Sequence, residues 1–468
     1  MKNYLLRNCT FATMLLASTL TFTSCGDDDG DDEFKKDPGT EKPSEPSASD
    51  ALTPTQQKAR LETVAKEALG MMPASDFSTY TDLANYIDDV YGDNYNWDSV
   101  DKWARQCWDD ALKATGKTYK DEDRYGSSYY TEYKCLLLAS NFTGHFSAYG
   151  PKWTKEAGTF KDLQFAFVGK NGEDCVLKVE TSGKVTKVYV GDWDEWKDYD
   201  YDYSTGASKE YYDRINCTIG VPEKIVVTLT QGNTTLVRTN VQVALSGLSG
   251  EKFDIAKGNV NISADVELSN GYVFSTSKVS YAGNSKLNVA AASVKKDGKA
   301  IVTMAMSGDI KGLPSCNVDA FSKDNFNRND YDTESVTAKN AFVKLDVLGK
   351  VQMQGIISDV RQYCDALDMA DKQDENETAF KSFVKKANSL ADINLFYDNS
   401  NVKQATVMMD TFVDYEYAGK QEWDYEPVIV FYDGSSNSAF GTFFSERNFK
   451  SVIRMYESLL DDYDQLLK

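Results

Sequence analysis

"DLQFAFVGKNGEDCVLKVE", residues 162–180, decides how the middle of this chain is read. Apolar residues alternate with polar ones on both sides of Lys170-Asn171-Gly172. A period of two puts successive side chains on opposite faces of an extended strand, and Asn-Gly supplies the positive φ of a tight hairpin turn. The stretch therefore predicts two antiparallel strands. Moving outward, Ser182-Gly183 predicts a second reversal before "KVTKVYV", residues 184–190. The signature returns in "KIVVTLT" (224–230) with Gln231-Gly232-Asn233, in "VELSNGYVFST" (266–276), and in "ASVKKDGKAIVTM" (292–304) around Asp297-Gly298. Connections this short join neighbouring strands. Residues 119–350 thus read as a mainly antiparallel meander with one packed face and one wet face.

Helical periodicity flanks the meander. In "LTPTQQKARLETVAKEALGMM", residues 52–72, Thr53 is the expected N-cap, Pro54 opens the helix and Gln56 completes a capping box. Leu61, Val64, Ala65, Ala68, Leu69 and Met72 mark its apolar face. A second helix is expected through Leu83, Tyr86, Ile87, Val90 and Tyr91, stopping at Gly92. A third, N-capped by Asp98, runs to Gly116 with Trp103 and Trp108 on its core stripe. Beyond the sheet, Ile356, Val360, Tyr363, Cys364 and Leu367 form one stripe, and Phe380, Phe383, Val384, Ala387 and Leu390 another. Short strands follow near "DINLFYD" (392–398), "QATVMMDTF" (404–412) and "PVIVFYD" (427–433), then a last helix capped by Ser445. That helix carries Phe449, Val452, Ile453, Tyr456 and Leu460 on its apolar face. The fold class is α+β. It has an N-terminal helical cap over residues 51–118, a large antiparallel β region over 119–350, and a C-terminal α+β region over 351–468 whose helices pack on the sheet.

The chain opens differently. Lys2 and Arg7 accompany an apolar run from Phe11 to Phe22 that is too short to span a bilayer comfortably. In "LLASTLTFTSCGDDDGDDE", residues 15–33, this run meets the small Ser24, then Cys25, then a cluster of acids. The arrangement resembles the lipobox of bacterial lipoproteins, where a thiol accepts a diacylglycerol and the chain is cut before it. The resemblance implies a signal peptide over residues 1–24 and stable lipid anchoring through Cys25. The acids that follow, led by Asp27, Asp28 and Asp29, resemble the acidic lipoprotein export signal of Bacteroidetes. Gly26 stands where many such signals carry serine. The implied location is the outer membrane, facing outward. Residues 25–50 are acidic and rich in Pro and Ser, which predicts a disordered stalk. As a whole the chain is similar to the uncharacterised Bacteroidetes surface lipoproteins, a likeness that implies an address and no particular activity.

Composition narrows the partners. Residues 1–24 hold two basic residues, Lys2 and Arg7, and no acid, so the remainder has 49 Lys+Arg against 72 Asp+Glu, a net charge of −23. Such a surface repels phosphate backbones, and nucleic acid is not an expected partner. Neutral glycans, cations and basic proteins suit it better. Besides Cys25, and Cys9 in the signal peptide, six cysteines remain: Cys107, Cys135, Cys175, Cys217, Cys316 and Cys364. None forms a CxxC or a zinc-site spacing, so buried free thiols are expected.

Signatures of chemistry are sparse. The one histidine, His145 in "NFTGHFSAYG", lies in a strand-like stretch, and there is no GxSxG. "ATGKT" (114–118) lacks both the earlier glycine and the preceding strand of a P-loop. Ser382 to Lys385 matches SxxK without its partner motifs. Asp98-Ser99-Val100 resembles a Bacteroidetes O-glycosylation acceptor, although Asp98 is also a natural helix cap. Within "GDWDEWKDYDYDYSTG", residues 191–206, Asp198, Asp200 and Asp202 match the start of a calcium loop, but Tyr203 and Lys209 occupy its glycine and glutamate positions. No catalytic residue, metal site or cofactor is assigned. Trp193, Trp196, Tyr199 and Tyr201 in that stretch could stack on sugar rings, or could pack as the buried face of a strand pair. The expectation is a surface-displayed binding protein for glycan or another extracellular macromolecule. A glycan-cleaving enzyme built from carboxylates alone, or a carrier of lipid between sheet and helices, are the alternatives.

Overall fold

The computed structural model describes residues 44–45, 50–92, 95–121, 127–148, 150–205, 207–317, 336–417, 419–435 and 437–466. Cys25, Asp27, Asp28, Asp29 and the expected signal peptide lie outside them, as does nearly all of the expected stalk. The helices are α1 Pro54–Gly70, α2 Ser78–Tyr91, α3 Asp98–Ala111, α4 Val360–Asp371, α5 Glu377–Asn388, α6 Phe440–Phe443 and α7 Glu446–Leu466. The first strands are β1 Leu112–Asp121, β2 Ser127–Leu138, β3 Gly144–Ser147, β4 Thr154–Lys155, β5 Leu163–Val168, β6 Asp174–Asp202, β7 Ala207–Gln231 and β8 Thr234–Ser246. The others are β9 Asn259–Leu268, β10 Tyr272–Ala282, β11 Lys286–Lys296, β12 Lys299–Lys311, β13 Thr337–Val347, β14 Val351–Asp359, β15 Ala391–Tyr397, β16 Ala405–Tyr417, β17 Lys420–Phe431 and β18 Ser438–Ala439. Strand exceeds helix, so the chain is an α+β protein dominated by antiparallel sheet.

Two compact units divide it. The first holds Leu83–Ile262 and residues 313–317; the second holds the described residues up to Asp82, Ser263–Gly312 and residues 336–466. In the first, β6 and β7 make one long antiparallel hairpin. Strand β2 runs parallel along β7, and β1 pairs antiparallel with β2. Strand β5 joins β6, and β3 runs parallel to β5. Helix α3 covers one face, where Ala111, Cys135, Val190, Ile215 and Cys217 form a core edged by Trp108 and Trp193. In the second unit, β10 to β17 pair in chain order and every pairing is antiparallel. The Asp297-Gly298 turn there has both φ values positive, as a two-residue hairpin of right-handed strands requires. Val64 and Ala68 of α1 pack with Tyr272, Ile301 and Val351. Phe380 and Val384 of α5 pack against Met409, Trp423 and Tyr425. The N-terminal helical cap is thus divided, α1 serving one unit's core and α3 the other's.

Local signals held where the backbone alone carries them. Thr53 caps α1 with Gln56 in a full capping box and Pro54 at its start. Elsewhere partners decided. No turn forms at Ser182-Gly183; β6 runs straight through it, because residues on both sides find partners on the same strand β7. Gly183 takes its positive φ in a bulge, and the Glu223 carboxylate accepts the Lys184 N–H there at 2.9 Å. Helix α3 ends at Ala111 instead of Gly116, since Leu112 to Asp121 pair antiparallel with Cys135 back to Ser128 of β2. Its N-cap is Trp97, with Asp98 in the first turn. Ile356 belongs to strand β14, and α4 buries Ala366 and Ala370 while Cys364 is exposed. Val90, Tyr456 and Leu460 are exposed as well, so the apolar stripes of α2 and α7 are narrower than their periodicity suggests. The Ser445 hydroxyl donates back to Thr442 O and does not cap α7 from its side chain.

Candidate functional site

The hairpin β6/β7 positions the aromatic residues of 191–206, and its register decides which way each ring points. Trp193 pairs with Ile215, on the face that α3 covers. Its indole stacks on Trp108 at 5.9 Å between centroids and 28° between planes. Trp193 is therefore a packing residue. Trp196 pairs with Tyr212 on the opposite face. Strict alternation would then place Tyr199 and Tyr201 back with Trp193. A bulge prevents this: Trp196 opposes Tyr212 and Asp198 opposes Tyr211, leaving Lys197 as the extra residue. Tyr199 and Tyr201 consequently share the outward face with Trp196, opposite Glu210 and Ser208. Trp196 is 68% exposed, Tyr199 49% and Tyr201 41%. The two tyrosine rings are nearly parallel, 6.4 Å apart and 14° inclined.

This face continues across the neighbouring strands. Tyr212 pairs with Tyr130 of β2, which pairs with Tyr119 of β1. The three rings stack in a row, 5.5 Å and 5.2 Å apart. Arg214 pins the row, its guanidinium lying 4.2 Å over the Tyr130 ring. It donates from Nε to Asp194 Oδ1 at 2.9 Å and from Nη2 to Oδ2 at 3.2 Å, a bidentate grip. Nη2 also reaches Asp121 Oδ2 at 3.3 Å, and the Tyr212 hydroxyl donates to the same oxygen. Burial, with the Asp121 hydrogen bond, pushes the Tyr212 phenol up, so it stays protonated as a donor. Asp194 and Asp121 thereby neutralise Arg214, which lies over the row of rings.

Acids occupy the reverse of the strand tip. Asp198, Asp200 and Asp202 pair with Tyr211, Lys209 and Ala207, on the face away from Tyr199 and Tyr201. Asp202 closes the turn by accepting from the Ser204 backbone and hydroxyl and the Thr205 hydroxyl; these hydrogen bonds hold its carboxyl down at about 2. Among the described residues no group of three or more His, Cys, Asp or Glu is placed to hold a metal. His145 lies in β3, stacked on Phe160, with Nε2 2.8 Å from Asp162 Oδ1.

Sequence reasoning found the β6 rings but not Tyr119, Tyr130, Tyr212 or Arg214. The double tyrosines 129–130 and 211–212 were the available signal. What joins them is a parallel pairing between strands far apart in the chain, which no local pattern encodes. No family model matches the chain, and comparisons with curated proteins and with solved structures return no match. The functional reading therefore rests on the geometry of this face.

Proposed function

We propose that this chain is an outer-membrane surface lipoprotein, anchored through Cys25, whose aromatic sheet face captures a neutral glycan without cleaving it. The observation that carries the reading is the bulge at Lys197, which aligns exposed Trp196, Tyr199 and Tyr201 on one face. Flat rings suit the apolar faces of sugars, and carboxylates such as Glu210 accept hydrogen bonds from hydroxyl groups. The strong negative charge disfavours anionic polymers. The mature protein should be retarded in native gels containing one of a panel of neutral polysaccharides, and Trp196→Ala/Tyr199→Ala should weaken the retardation at least tenfold. Equal retardation of the variant would overturn the assignment of this face. For the anchor, Cys25→Ala should move the protein to the soluble fraction, and a variant still pelleting with membranes would refute lipidation there.

One observation favours a second reading, a carboxylate-only glycosidase. Burial, and then Glu267 two residues along the same face of β9, push the Asp265 carboxyl up, as a general acid requires. Release of reducing sugar by the wild type and its loss in Asp265→Asn would support that reading over simple capture.

A further inference from the structure

The other unit carries the same construction. In β16, Phe412-Val413-Asp414-Tyr415-Glu416-Tyr417 repeats the pattern of Trp196-Lys197-Asp198-Tyr199-Asp200-Tyr201 in β6. Both have an aromatic residue, two spacers ending in Asp, then Tyr, an acid and Tyr. Both strands are the first arm of an antiparallel hairpin. Both contain a bulge at the spacers: Val413 opposes Trp423 and Tyr415 opposes Glu422, leaving Asp414 as the extra residue. The consequence is the same. Phe412, Tyr415 and Tyr417 share one face, where without the bulge Phe412 would point away from the tyrosines. They are 37%, 53% and 70% exposed. The Tyr415 and Tyr417 rings lie 6.5 Å apart and 19° inclined, close to the 6.4 Å and 14° of Tyr199 and Tyr201. The correspondence extends across the hairpin. Tyr415 faces Glu422 as Tyr199 faces Glu210, and the next residue in each case is aromatic and on the reverse face. Trp423 there packs with Phe380 and Val384 and lies under the Lys381 ammonium at 4.0 Å.

Ring planes, spacing, bulge and facing glutamate agree in two hairpins that build different cores. Packing within either unit does not require that agreement, since the rings concerned are exposed in both. A common ligand with a repeating unit does require it. We infer that Phe412, Tyr415 and Tyr417 form a second glycan-binding face, and that the chain holds one neutral polysaccharide at two sites. Charge selects the ligand class: Asp424 and Glu422 of the facing strand lie opposite Phe412 and Tyr415 on the same face, with Lys420 opposite Tyr417 as the one cation in the register. The inference rests on the glycan reading of the first face. Two sites on one chain turn the second contact into an intramolecular event, which raises avidity for a polymer without raising affinity for a short oligosaccharide.

The test uses the mature full-length chain, a panel of soluble neutral polysaccharides in native gels, and titration calorimetry with an oligosaccharide of whichever polymer retards it. Wild type should bind two oligosaccharides per chain; Trp196→Ala/Tyr199→Ala and Tyr415→Ala/Tyr417→Ala should each bind one. Each pair should weaken retention on the polymer at least tenfold, and the four together should abolish it. Tyr417→Ala alone, at the most exposed ring, provides the same readout should the pair fail to fold. A wild-type stoichiometry of one, with the Tyr415/Tyr417 variant unchanged and the Trp196/Tyr199 variant dead, overturns the second site while leaving the first. A chain that no polysaccharide in the panel retards overturns both.

Discussion

Trp193 and Trp196 are three residues apart and should behave oppositely when truncated. Trp193 is half-buried, stacked on Trp108 and packed against Val190 and Ile215. Complete burial would make Trp193→Ala cost about 3–5 kcal/mol; with the ring only partly buried the expected cost is about 2–3 kcal/mol. For a unit of this size that is a drop of roughly 5–10 °C in Tm. Trp196 is 68% exposed, so its truncation should cost no more than about 0.5 kcal/mol of stability. Its loss should instead appear in binding, by about 1–2 kcal/mol, close to tenfold in Kd, as for an aromatic anchor at an interface. Calorimetric melting and affinity electrophoresis on the same two variants separate these outcomes. Equal melting losses, or a stable Trp193→Ala that no longer binds, would refute the face assignment drawn from the bulge at Lys197.

Acid should weaken the first unit through Asp162 and Asp254. Burial would raise both, but hydrogen bonds from Gln164 and His145 hold Asp162 down at about 2, and bonds from Ser315, Lys257 and two backbone N–H groups hold Asp254 lower still. Both carboxyls take up protons more readily once unfolded, so their contribution is complete above the ordinary carboxylate value of about 4 and is lost as pH falls through about 2; a melting temperature that is flat from pH 5 to roughly pH 2 would contradict this. Cysteine alkylation should be selective, with exposed Cys364 labelling first, and Cys107, Cys135, Cys175 and Cys217 labelling only after denaturation. Burial pushes Cys135 up to about 12 and Cys175 to about 11, and mass spectrometry showing either modified in native protein would refute the packing described. Arg214→Lys cannot reproduce the bidentate grip on Asp194. It should lower Tm and reduce the near-ultraviolet tyrosine dichroism of the Tyr119–Tyr130–Tyr212 row, and an unchanged spectrum would show that Arg214 does not order these rings.

What could be read from the sequence alone was whatever nearest neighbours along the chain impose. Thr53, Pro54 and Gln56 start a helix because their bonds close within one turn. Asp297-Gly298 reverses the chain because its φ values suit those residues. Alternation identified the strands, and the aromatic run in 191–206 marked a place to look. Three things required the tertiary structure. The first is length: Ser182-Gly183 looks like a turn, yet β7 supplies partners on both sides of it, and the strand continues. The second is polarity in the core. Gln57 sits in a helix of polar composition but is fully buried, donating to Leu52 O and Gln404 O and meeting the Tyr397 hydroxyl, partners that lie more than three hundred residues away in the last two cases. The third is the facing of the rings. A period of two predicts a face only while the ladder is regular, and one extra residue at Lys197, and another at Asp414, reverses the prediction for every ring beyond it. Whether a strand bulges depends on the hydrogen bonds its partner offers, and those are made only when the chain has folded.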